Sequence, residues 1–105
     1  MSWLYLALAG LLEIVWAVAM KQSDGFTRLG ATALMLVAMV GSFGLLALAM
    51  RTLPLGTAYT IWTGIGAIGA FAVGVFWLGE ALTPLRVAAA LLIVAGILVM
   101  KLSTP

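Results

Sequence analysis

Long uninterrupted apolar runs constrain this chain more than any other feature. No charged residue stands between Leu29 and Met50, or between Thr52 and Gly79. A helix crosses a bilayer core with about 20 such residues, so each run is long enough to span. A third run, Val87 to Met100, reaches span length when Arg86 and Lys101 snorkel at its ends. The first stretch, Met1 to Met20, is interrupted by one charge, Glu13. Composition agrees: 66% of residues are hydrophobic and 8% charged, against roughly 45–50% and 25% in soluble domains. The reading is an all-α membrane protein, a single four-helix transmembrane domain over 1–105 with helices at about 3–20, 28–50, 57–79 and 84–102.

Local signals set those boundaries. Lys21-Gln22-Ser23-Asp24-Gly25 ends helix 1, with Gly25 suited to a left-handed turn. Thr27 is the expected N-cap of helix 2. In the second turn Pro54 removes a backbone donor and Gly56 relaxes the chain. Thr83 is the expected cap of helix 4, with Pro84 in its first position. Trp3 to Leu12 followed by Ala17-Val18-Ala19 imitates a cleavable signal, but no cation precedes it and Glu13 interrupts it, so the segment is expected to be retained as a span.

Absent residues exclude much chemistry. With no Cys and no His, thiolate or imidazole metal sites, disulfides and the common nucleophile triads are ruled out, and neither a metal nor a cofactor is expected. The five cations, Lys21, Arg28, Arg51, Arg86 and Lys101, all fall at helix ends. That is flank chemistry, and it makes no nucleic-acid surface. Arg51 and Lys101 share the side of the termini, while Lys21, Arg28 and Arg86 share the other. Two against three gives almost no orientation bias, so both orientations can insert and pair head to tail; a fixed orientation with loops 1 and 3 cytoplasmic is the alternative.

Glu13 lies near the middle of the first span. A central ionised acid costs on the order of 3 kcal/mol even on lenient insertion scales, which makes it a functional candidate by default. A titrating membrane carboxylate carries a proton or binds a cation; a protonated Glu in a structural interhelical bond is the bland alternative. Ala9, Gly10 and Ala17 leave room on its helix face, and Trp16 offers an indole N–H or an aromatic face. Helix 3 places Tyr59, Trp62 and Thr63 on one face, where an interfacial aromatic belt is the competing reading. Ser42 is the one hydroxyl in the middle of helix 2. It either bonds its own backbone or, facing Glu13, fixes that carboxylate.

Gly64-Ile65-Gly66-Ala67-Ile68-Gly69 spells a dinucleotide fingerprint, yet no strand precedes it and it lies inside a membrane run. Gly64, Gly66 and Gly69 instead suit close packing and a bend in helix 3. Ala89 and Gly96 put small residues on one stripe of helix 4, suited to helix association.

Taken together, Trp3, the segment Gly10-Leu11-Leu12-Glu13-Ile14-Val15-Trp16-Ala17, and Lys21 resemble the small multidrug resistance family of proton-coupled exporters. Leu53-Pro54-Leu55-Gly56-Thr57-Ala58-Tyr59, Ser42 and Ile61-Trp62-Thr63-Gly64-Ile65-Gly66-Ala67 resemble most closely its guanidinium-exporting branch. The resemblance covers the whole chain. It implies a multi-pass protein of the bacterial inner membrane, not an enzyme, that works as an antiparallel homodimer. In that dimer the two Glu13 carboxylates, one from each subunit, bind either protons or one shared cationic substrate, guanidinium. It implies further that Trp16, Ser42 and Trp62 donate hydrogen bonds to Glu13, that Gly10 and Thr63 line the site, and that Tyr59 switches partners during alternation. Gly64 to Gly69 would bend helix 3, and helix 4, with Ala89 and Gly96, would make the dimer contact. Two rivals stay open: export of quaternary ammonium or other hydrophobic cations, and a structural or regulatory membrane subunit that transports nothing.

Overall fold

A computed structural model describes residues 1–104. Four helices follow in order: α1 (Ser2–Gln22), α2 (Leu29–Ala49), α3 (Leu55–Phe76) and α4 (Pro84–Ser103). All four are long and apolar enough to cross a membrane. At about 1.5 Å per residue each measures about 30 Å, the thickness of the hydrocarbon core. Helices are the natural solution there, because hydrocarbon offers no water to the backbone N–H and C=O groups.

Spatial order departs from chain order. α1 packs against both α2 and α3, α3 carries α4 on its other side, and α2 and α3 touch only slightly. The row therefore runs α2, α1, α3, α4. Its extents of 43 × 34 × 16 Å describe a slab, little thicker than one helix with its side chains at about 10–12 Å. The core gathers Leu6, Ala9, Leu46, Ala49, Ala58, Ile61 and Trp62 where α1, α2 and α3 meet. No residue of α4 is buried.

Small residues allow the close approach of α1 and α3. A Cβ placed on Gly10 would stand 2.6 Å from Ile65 Cγ2, and one on Gly69 would overlap Ile14. Between membrane helices such small-residue contacts carry association, since lipid tails solvate apolar surface as well as leucine does.

Three boundaries differ from expectation. Thr27 does not cap α2: Arg28 holds that position without a side-chain cap, because the Thr27 hydroxyl donates back to the Asp24 carbonyl at 2.8 Å. Asp24, Gly25 and Phe26 all take positive φ, and Ser23 anchors the turn by donating to the Met20 carbonyl at 2.6 Å and accepting from the Phe26 N–H. α3 begins at Leu55, directly after Pro54, and ends at Phe76. Its carbonyls are closed off by the Leu78 and Glu80 N–H groups, both donating to Gly74 O, around Gly79 at φ +71°, so Gly79 lies outside the helix. α4 starts as expected, with Thr83 accepting from the Arg86 N–H and Pro84 in the first turn.

Candidate functional site

Glu13 stands near the middle of α1 and is half-buried. It faces α3 where that helix has no side chain. A Cβ on Gly66 would fall within 2.6 Å of Glu13 Cγ and closer still to the carboxylate. Glu13 Oε1 is buried without a hydrogen-bond partner, and so is Trp16 Nε1, one turn along the same helix. A bare acceptor and a bare donor in one apolar interior are costly unless something visits them. A carboxylate oxygen in that position is satisfied by its own proton or by a cation.

The hydroxyl and indole expected to hold Glu13 are engaged elsewhere. Ser42, fully buried on α2, donates to the Ala9 carbonyl of α1 at 2.6 Å. Trp62 Nε1 on α3 donates to Ser42 Oγ at 2.9 Å. Each side chain has one proton to give, and both are spent in this chain of bonds, so neither donates to Glu13 here. The result is a polar tie joining α1, α2 and α3 one turn from the carboxylate.

An aromatic row runs beside that tie. The ring centroids of Trp16 and Phe43 are 6.3 Å apart, those of Phe43 and Trp62 5.7 Å, and those of Trp62 and Tyr59 5.5 Å. The first two pairs are edge-to-face, the arrangement aromatic quadrupoles prefer. Sequence alone does not single out Phe43, because a phenylalanine in an apolar helix looks like any lipid-facing residue. Its position next to Ser42 was the one available hint.

The remaining predicted residues do not converge on one point. Gly10 is buried against Ile65 and serves the α1–α3 contact. Tyr59 and Thr63 are exposed and line a groove of about 470 Å³ between α3 and α4, together with Gly64, Gly96 and Ile97. α3 runs unbroken through Gly64, Gly66 and Gly69. Within one chain each of these glycines receives a neighbouring side chain: Ile97 at Gly64, Glu13 at Gly66 and Ile14 at Gly69. Ala89 and Gly96 are exposed on α4. Among the described residues no group of His, Cys, Asp or Glu is placed to hold a metal ion.

The profile of the family described as Small Multidrug Resistance protein matches residues 1–94. Proteins named guanidinium exporter from Escherichia coli (strain K12), Salmonella typhimurium and Klebsiella oxytoca are each 54% identical to this chain over 104 residues, covering 99% of it and 99% of the relative.

Proposed function

The chain belongs to the small multidrug resistance family, and we propose that within it this protein is a proton-coupled antiporter that exports guanidinium by alternating access. It is a multi-pass protein of the bacterial inner membrane. The observation that carries the proposal is the pair of unpartnered buried atoms, Glu13 Oε1 and Trp16 Nε1, in the middle of a membrane span. A structural glutamate would be expected to have its bond made.

In the proposed mechanism two copies lie antiparallel, and their Glu13 carboxylates form one site between inverted halves, as membrane transporters commonly arrange. Guanidinium is planar, keeps its charge at any biological pH, and matches carboxylate oxygens with a fork of N–H donors. Protons and substrate compete for the same carboxylates, which titrate as a pair. Release of one therefore accompanies capture of the other. The second copy is supported by the thin slab, which leaves broad faces uncovered, by α4 having no buried residue, and by the near balance of loop cations.

Purified protein in liposomes tests this reading. Guanidinium-driven proton movement is expected, and it should exceed that driven by tetraalkylammonium. A response to tetraalkylammonium alone would make the protein an exporter of hydrophobic cations, and no proton movement with either ion would leave the structural subunit. Orientation is tested separately with a C-terminal reporter, which is expected on both membrane faces. The Arg51→Ala, Lys101→Ala variant removes both cations of one side and should insert one way only. It should then transport only when co-expressed with an oppositely biased copy; normal transport by that variant alone would exclude the antiparallel dimer.

A further inference from the structure

The end of the molecule formed by loop 3 already holds a guanidinium group, that of Arg86. Its Nη1 donates to the Ala81 carbonyl at 2.5 Å, its Nη2 lies 3.8 Å from Glu80 Oε1, and its central carbon sits 5.1 Å from the centroid of the Phe71 ring. A carboxylate, a carbonyl and an aromatic face are the three kinds of partner that a planar cation with N–H edges recognises. Two of the receiving groups are held by other parts of the chain. Phe71 belongs to α3, and the Glu80 N–H is tied to the Gly74 carbonyl at 2.9 Å. The Glu80 side chain rests on Gly74, where a Cβ would come within 2.7 Å of its Cδ. Arg86 arrives from α4, and its ion pair with Glu80 is long, single and 40–44% exposed, a weak kind of pair.

Phe71, Glu80 and Arg86 line a cleft of about 320 Å³ together with Ala17 and Ala67. Ala17 is one helical turn from Glu13, and Ala67 follows Gly66, which backs that carboxylate. We infer that Phe71, Glu80 and the Ala81 carbonyl form a second guanidinium subsite, occupied at rest by Arg86, where a substrate ion displaces that side chain on its way between water and Glu13. This rests on guanidinium being the substrate. The exchange swaps one guanidinium for another at the same three partners, so no buried group is left unsatisfied. Arg86 is tethered and returns at high effective concentration, which keeps the subsite filled when substrate is scarce. Lys21 lines the same cleft and repels any cation there. The subsite is accordingly weak, as a hand-off point has to be.

Equilibrium binding of radiolabelled guanidinium to the purified full chain tests this with the central site disabled. Glu13→Gln alone should bind little. Glu13→Gln with Arg86→Gln should bind about fivefold more tightly, the gain expected from unmasking an exposed carboxylate, and adding Glu80→Gln should remove that gain. No gain in the double variant, or a gain that survives Glu80→Gln, overturns the subsite. Thermal unfolding and a monodisperse profile in detergent establish that each variant is folded. Arg86→Gln with Glu13 intact separates the two ideas: loss of guanidinium binding in both that variant and the unmodified protein would refute the substrate assignment, whereas retained central binding without the gain would refute the subsite alone.

Discussion

Glu13 and Glu80 are the same residue in opposite circumstances. Both rest on a glycine of α3, Gly66 for the first and Gly74 for the second, where any other residue would collide with the carboxylate. Glu80 is exposed, paired with Arg86 and fixed by its own backbone bond. Glu13 is half-buried, with one buried oxygen unpartnered and no cation of its own chain beside it. On the proposed function, the side chain left unsatisfied is the one whose partner arrives and leaves. A glycine opposite a carboxylate thus makes room in both cases, and the presence or absence of a partner distinguishes the proposed transport ligand from the carboxylate paired with Arg86.

The largest expected effect breaks the comparison at its centre. Glu13→Gln keeps the shape of the side chain but cannot ionise, and it should abolish proton-coupled guanidinium uptake in liposomes while the protein stays folded. Glu80→Gln, by contrast, should raise KM about fivefold with coupling retained. Measurable coupled uptake by Glu13→Gln would sink the role given to that residue.

Next come the two glycines. Gly66→Ala pushes against Glu13 as far back as Cγ, and a displacement on that scale should lower kcat/KM by about 100-fold. Gly74→Ala meets only the end of the Glu80 side chain and its Cδ, where an exposed group can swing away; a change within about twofold is expected. Equal losses in the two variants, measured by uptake rates, would mean that glycine is needed for helix packing in general and not for the carboxylate.

A smaller effect follows from acidity. In the proposed mechanism substrate binds the ionised carboxylates, so lowering pH adds protons that compete and guanidinium affinity should fall. The slope approaches about tenfold per pH unit when one proton is displaced for each ion bound. Binding across pH 5 to 9 that stays flat would point to a cation site made of aromatic rings alone.

The smallest effect concerns the polar tie beside Glu13. Ser42→Ala leaves the Trp62 N–H without its acceptor and should destabilise the protein by about 1 kcal/mol, read from the unfolding midpoint in detergent. Trp62→Phe removes the same bond from the other end, so the double variant should lose less than the two single losses combined. Additive losses would show that the two side chains stabilise the protein independently.

Much of this molecule is legible in its sequence. Apolar runs without charges fix four membrane helices, since the cost of a charge or an unbonded backbone in hydrocarbon applies to each segment by itself. The same cost singles out Glu13, and the capping of α4 by Thr83 follows from a local Thr-Pro signal. Thr27 misled because the residues before it take three successive positive φ values and use its hydroxyl inside the turn. Which helix stands beside which was not legible: hydropathy says that a helix is in the membrane and nothing about its neighbours, so the row α2, α1, α3, α4 belongs to the tertiary structure. Contacts between helices follow from that order. Ser42 and Trp62 spend their protons on Ala9 and on each other, Gly66 backs Glu13 and Gly74 backs Glu80, and Arg86 lays its guanidinium on Phe71. The sequence determined the membrane spans and marked Glu13 as the acid inside one of them, because those depend on the free energy of single residues in lipid. Only the packing decided which donors that acid would lack, because a hydrogen bond between helices depends on the distance between groups that the chain itself holds far apart.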